Sequence, residues 1–215
     1  MKNWEFNTLF TQNTFIDIFN AMKNKNIIER AKLIPFILAI VIIIIDQITK
    51  SWVVKNIPLY INTDQPYNVY KSFFGGFINI IHVRNLGVAF SIGYSWPIAL
   101  RKIVFSVIPL AFIAYVIYLC IKTDDVSDFQ RWCISAVVGG GTGNIIDRIF
   151  RSEGVVDFVD VKWFGWEDAW FDFLRWDRWP TFNFADAMIV VFGAALIVSL
   201  IIMYVKADKK QKGKK

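Results

Sequence analysis

The chain has 215 residues, 55% of them hydrophobic and 17% aromatic, with nine Trp and a mean hydropathy of +0.43. That is too apolar for an ordinary soluble domain; it suits a membrane protein with two membrane–water interfaces to line. The net charge of +6 does not point to nucleic acid, because no basic face with interleaved aromatics is present. The six lysines between Lys206 and Lys215 suit anionic lipid headgroups instead.

Residues 1–32 mix apolar side chains such as Trp4, Phe10 and Phe19 with Asn, Thr and Asp. They are expected to form a cytoplasmic or interfacial amphipathic segment. They lack the basic start, short apolar run and small-residue cleavage site of a signal peptide. A first span is predicted from about Leu33 to Trp52, with Asp46 and Lys50 in its last turns. A second covers about Ile103 to Cys120 without a charge. A third, Trp132 to Phe150, is glycine-rich. A fourth runs from Phe184 to Val205 and is apolar after Asp186. Each approaches the roughly 20 residues that a helix needs to cross the hydrocarbon. The predicted fold class is therefore a membrane all-α bundle of four transmembrane helices spanning residues 33–205, with interfacial segments. A basic cytoplasmic tail, 206–215, follows.

Between the first two spans lies a long loop, residues 53–95. Its stretch from Phe77 to Val83 alternates like a strand, so a small extracytoplasmic β-sheet is expected, with His82 structural within it. Residues 121–131 make a short charged turn. Residues 151–183 form a second long loop carrying Trp163, Trp166, Trp170, Trp176 and Trp179, a composition typical of headgroup depth. Cys120 and Cys133 are expected to be packed thiols, since two separated cysteines do not make a disulfide framework. One His without HExxH or CxxC spacing makes a zinc site improbable, and no cofactor is expected. Lys23, Lys25, Arg30 and Lys32 flank the first span and the lysine tail follows the last, which favours both termini in the cytoplasm.

Four spans alternate in direction. The end of the first, the end of the third and the start of the fourth must then share one side of the membrane. Asp46, Asp147 and Asp186 occupy those places, and both long loops, with Asn85 and Asp157, emerge there too. An aspartate inside a span costs on the order of 2.5–3.5 kcal/mol at the helix centre, so a functional role is the default. The structural alternatives are concrete: Asn183 as an N-cap with Asp186 three residues on, and an Asp46–Lys50 pair one turn apart. Gly139 and Gly143 form a small-xxx-small pair for close helix packing. Carboxylates gathered in a poorly hydrated site share a proton and titrate as a unit, the pattern by which aspartic proteases activate water.

Five blocks carry a more specific signal: Asp46-Gln-Ile-Thr-Lys50, Asn85-Leu-Gly-Val-Ala-Phe-Ser91, Gly143-Asn-Ile-Ile-Asp-Arg148, Val155-Val-Asp-Phe158 and Phe182-Asn-Phe-Ala-Asp186. In this order the chain resembles the bacterial lipoprotein signal peptidase (signal peptidase II) family. The resemblance implies a membrane aspartyl endopeptidase without metal or cofactor, residing in the bacterial cytoplasmic (inner) membrane. Its substrates would be diacylglyceryl-modified prolipoproteins, cut just before the lipidated cysteine at the outer face. Membrane lipids and the cyclic peptide inhibitors of the family are the other implied partners. Carried over by motif, Asp157 and Asp186 would be the catalytic dyad. Asp46, Lys50, Asn85, Gly87, Asn144, Asp147, Arg148, Asn183 and Ala185 would support the site or bind substrate. Asp147, paired with Arg148 in a structural reading, is the alternative to Asp157, and Asp160 is a further neighbour. The stretch from Asp157 to Asp186 is longer than the family pattern by its Trp-rich part, 163–179. A serine–lysine protease using Ser91 and Lys50, and a proton-coupled transporter, are the rival readings.

Overall fold

The structure, a computed structural model, describes residues 31–60, 69–86, 96–167 and 170–212. The expectations for residues 1–30, for Gly87 and for Ser91 lie outside the described residues. Helix α1 is Phe36–Asn56, strand β1 Lys71–Phe73 and strand β2 Ile78–Asn85. Helix α2, Ile98–Lys102, runs through a π-helical turn, Ile103–Val107, into α3, Ile108–Lys122. Pro109 stands in the first turn of α3 and has no N–H to donate, which disturbs the regular ladder just before it. Helix α4 is Asp128–Phe150, strand β3 Val155–Val161, α5 the short Asp172–Arg175 and α6 Phe184–Lys212.

Three helical stretches, Phe36–Asn56, Ala99–Lys122 and Phe184–Lys212, are long and apolar enough to cross a membrane. Their exposed side chains are mostly Ile, Val, Leu and Phe. Helix α4 differs. Its 23 residues reach about 34 Å at 1.5 Å per residue, yet it buries Gln130, Arg131, Ser135, Asn144 and Asp147. It packs against α1, α6 and α3, so its polar groups meet protein rather than lipid. It begins four residues earlier than Trp132 because Ser127 and Gln130 close a reciprocal capping box at 3.3 and 3.0 Å.

The glycines of α4 set how closely its neighbours approach. A Cβ on Gly139 would stand 2.8 Å from the Ala39 Cα, and one on Gly140 would stand 2.5 Å from the Ala185 carbonyl oxygen. The small-xxx-small reading therefore holds: α1 and α6 lie directly on the α4 backbone.

The sheet has the order β1-β2-β3, all antiparallel. Strand β3 falls inside the expected second long loop, because Val155-Val-Asp-Phe-Val-Asp-Val161 carries an acid at every third position and lacks the alternation of a strand. It pairs Asn85 with Val155 at one end and Ile78 with Val161 at the other. A register shift between Ile80 and Val83 bulges β2, which buries the consecutive residues Ile81 and His82. His82 Nδ1 lies 2.8 Å from the Ile57 carbonyl, and burial lowers its imidazole below the ordinary 6.5, as suits a structural histidine. Val156 packs with Val53 and Ile57, fastening the sheet to the end of α1. Cys120 and Cys133 are buried free thiols.

Candidate active site

The ends of α1 and α4, the start of α6 and the strand β3 meet at one side of the bundle. Asp46, Lys50, Asp147 and Asn183 are fully buried there, and Asp157 is 3% exposed. Two different kinds of carboxylate result.

Asp46 and Asp147 are saturated. Lys50 Nζ lies 2.8 Å from Asp46 Oδ2, 3.3 Å from Asp147 Oδ2 and 2.8 Å from Asn144 Oδ1. Its three donors are thereby used. Asp46 Oδ1 also accepts from the Ala185 N–H at 3.1 Å, a free donor of the first turn of α6. Asp147 accepts from Arg151 Nε at 3.0 Å, Gln47 Nε2 at 3.1 Å and the Val156 N–H at 3.1 Å. Its ion-pair partners are Arg151, one turn on, and Lys50. The expected pairing with Arg148 is replaced because residues four apart, not one, share a helix face. Asp160 is tied to Arg178 Nε at 2.6 Å and Asn79 Nδ2 at 3.2 Å on the sheet.

Asp157 and Asp186 are held by amides and open on a common cavity. Asp157 Oδ1 accepts from Asn183 Nδ2 at 2.7 Å and its Oδ2 from Asn85 Nδ2 at 3.1 Å. Asp186 Oδ1 accepts from Asn144 Nδ2 at 2.7 Å and its Oδ2 from the Asn183 N–H at 3.1 Å. The Asn183 side-chain Oδ1 in turn accepts from the Asp186 N–H at 3.0 Å, so the N-cap box is present as expected. Asn183 does more than cap. Its second amide hydrogen reaches Asn144 Oδ1 at 3.1 Å, so one buried side chain spans both aspartates and the buried ion cluster. The cavity, about 300 Å³, is lined by both acids together with Asn85, Asn144, Arg148 and the segment Trp179–Phe182. Burial and the neighbouring Asp186 carboxylate push Asp157 from the ordinary 3.8 up to about 7, against the pull of its two amide donors.

The sequence reading gave no role to Gln47 or Arg151, which complete the shell of Asp147. Gln47 stands inside the first block, and Arg151 is visible only as the fourth residue after Asp147 on a helix face. In the cavity wall Trp179 ends the surplus stretch and Phe182 opens the fifth block, whereas Pro180 and Thr181 belong to no motif.

This arrangement has relatives. The family model for signal peptidase (SPase) II matches residues 38–203. The chain belongs to the signal peptidase II family. A lipoprotein signal peptidase of Treponema pallidum (strain Nichols) is 38% identical over 174 residues, covering 81% of this chain and 86% of that protein. One of Treponema denticola is 40% identical, covering 82% and 93%, and one of Borrelia hermsii 43% identical, covering 76% and 88%. Among solved structures, a bacterial membrane enzyme determined by the in meso method at 2.3 Å resolution superposes with a TM-score of 0.60 at 26% identity. It covers 78% of this chain and 87% of its own. The small sheet and the apolar helices of this signal peptidase II chain thus stand in a membrane enzyme fold.

Proposed function

We propose that this chain is the aspartyl endopeptidase that removes signal peptides from diacylglyceryl-modified prolipoproteins, with Asp157 and Asp186 as the catalytic pair. The observation that carries the assignment is the contrast between the acids. Asp46, Asp147 and Asp160 each bind a cation and further donors, whereas Asp157 and Asp186 are positioned by amides and face the same cavity. A carboxyl raised to about 7 holds its proton near neutrality, as one member of a pair that shares a proton must. The ionised member takes a proton from water, and the protonated member polarises the scissile carbonyl and then protonates the leaving amine. Asn183 and Asn85 fix the carboxyl planes. Lys50 acts at one remove, orienting the Asn144 amide that bonds Asp186. Bound substrate, its lipid in the bilayer, would present the scissile bond to the cavity; the cyclic peptide inhibitors of the family would compete there.

The raised value of Asp157 gives a pH test. Turnover is expected to fall as pH rises through about 7, where the shared proton is lost. The same titration has a stability signature. The native state holds a proton between pH 3.8 and about 7 that the unfolded chain has released, so this contribution is full at low pH and is lost as pH rises. A rate constant flat from pH 6 to 9 would contradict the shared-proton assignment.

We further propose that the chain crosses the membrane four times, with α4 as the third crossing, the catalytic cavity at the outer face of the cytoplasmic membrane and both termini inside. The support is the lysine-rich end of α6 and Lys32 at the opposite end from the acids. A cysteine at position 210 is expected to be shielded from an impermeant thiol reagent in intact cells, and one at Trp170 to react. The reverse labelling pattern would overturn the orientation.

A further inference from the structure

The described parts of the Trp-rich stretch, 162–167 and 170–179, pair as two arms. The Trp163 N–H donates to the Asp177 carbonyl at 2.7 Å, Gly165 to Trp176 at 2.9 Å and Trp166 to Leu174 at 2.8 Å. Trp163 packs against Trp179 with ring centroids 4.6 Å apart and planes tilted by 53°, joining the paired arms to the cavity wall. Its outer part shows large apolar rings to the surroundings: Trp166 is 56% exposed, Trp170 96% and Phe171 64%. Rings of this size are left out of a core at considerable loss unless something apolar covers them.

A second aromatic tip lies beside it. The turn Phe74–Gly76 joins β1 to β2, and Phe74 has a φ of 52°, a left-handed conformation that costs a bulky residue on the order of 1–3 kcal/mol. The turn leaves Phe74 82% exposed. The Phe74 turn is tied to the base of the paired arms, because Lys162 donates its N–H to the Phe77 carbonyl at 2.8 Å and Arg178 Nη2 reaches the Gly76 carbonyl at 3.3 Å.

The direction of this end is set by α1. His82 lies level with Ile57 at the helix end, whereas Phe73, Lys71 and Ile80 share an apolar groove with Ile48, Thr49 and Trp52. Ile48 sits eight residues before Asn56, about 12 Å back along the helix at 1.5 Å per residue. The sheet therefore turns back along the outer half of the span, and its aromatic end lies at the level of lipid-exposed helix. Exposed Lys71 and Lys162 flank the rings, as suits phosphate headgroups.

We propose that the paired arms 162–167 and 170–179 and the Phe74 turn form one aromatic anchor that inserts into the bilayer leaflet on the cavity side, fixing the depth of the wall Trp179–Phe182. Phe73, next to the Phe74 turn, lines one groove with the exposed apolar side chains Ile48 and Trp52 of α1, which identifies lipid as the occupant. It goes beyond the peptidase reading and does not depend on which acids catalyse.

The test is spin-label depth measurement in vesicles of phosphatidylethanolamine and phosphatidylglycerol. Full-length chain with Cys120 and Cys133 replaced by Ala carries one label at a time, at Phe171→Cys, Phe74→Cys or Phe164→Cys. Ile197→Cys on α6 serves as the lipid reference and Asp125→Cys as the aqueous one. Labels at positions 171 and 74 are expected to be relaxed more by oxygen than by a water-soluble nickel chelate, as at position 197. Accessibility matching position 125 would overturn the proposal. Spin–spin broadening that disappears on dilution with unlabelled protein would also overturn it, by showing a second copy on this face. Should the Phe74 variant fail to fold, position 164 reports in its place, with the same two outcomes.

Discussion

Asp157→Asn and Asp186→Asn are each expected to lower turnover at least ~100-fold, the low end of what a positioned general acid or base contributes. Asn keeps the shape of the side chain but does not exchange a proton in this chemistry. It also turns one acceptor into a donor, so one of the two amide bonds at each site is lost. Substrate affinity is expected to survive, because the lipid and apolar contacts remain. The double variant is expected to be little worse than either single one, since groups that act as a unit are not additive. Asp147→Asn provides the control. Its carboxylate carries Arg151, Lys50, Gln47 and the Val156 N–H, so its loss acts on folding rather than on the reacting atoms. Single-turnover kinetics on variants matched for thermal stability make the comparison. Normal cleavage by Asp157→Asn together with a dead but well-folded Asp147→Asn would transfer the first catalytic role to Asp147.

Lys50→Met is expected to destabilise the protein by about 3–5 kcal/mol, the cost of breaking a buried ion pair by removing one partner. The ammonium is fully buried between Asp46 and Asp147; without it Asp46 has no cation inside the bundle, while Asp147 keeps Arg151. Adding Asp46→Asn to Lys50→Met removes the uncompensated charge and is expected to restore part of the loss, a coupling that a double-mutant cycle measures. The serine–lysine alternative makes a different forecast. If Lys50 were a base, Lys50→Met would be inactive with its thermal stability unchanged. A melting temperature equal to the parent's would defeat the structural role assigned here.

Much of this site is legible in the sequence because membrane topology is a strong constraint. Helix direction alternates, so Asp46, Asp147 and Asp186 were bound to share a side once the apolar runs were counted. The Asn183–Asp186 cap and the Asp46–Lys50 pair follow from spacing alone, and both are present. What spacing does not carry is partner choice at long range. The Asp147 shell draws on Gln47 and the Val156 N–H, residues about 100 and nine positions away. The chain neighbour Arg148 was the wrong partner for Asp147, because adjacent residues on a helix diverge by about 100°. Strand β3 is obscured by the acids in it: Asp157 and Asp160 interrupt an otherwise apolar run of Val and Phe, and each is buried only because a partner from elsewhere satisfies it. Helix α4 looked weak as a span for the related reason that its glycines and polar groups face other helices, and a hydropathy argument cannot see protein-facing surface.

The most direct measurement is cleavage of a prolipoprotein peptide carrying a diacylglyceryl cysteine by the purified chain in lipid, with the products weighed by mass spectrometry. A single cut immediately before the lipidated cysteine is predicted, present with the parent chain and at least ~100-fold slower with Asp157→Asn or Asp186→Asn. Cleavage at another bond, or undiminished cleavage by both variants, would contradict the assignment of this pair as the catalytic aspartates.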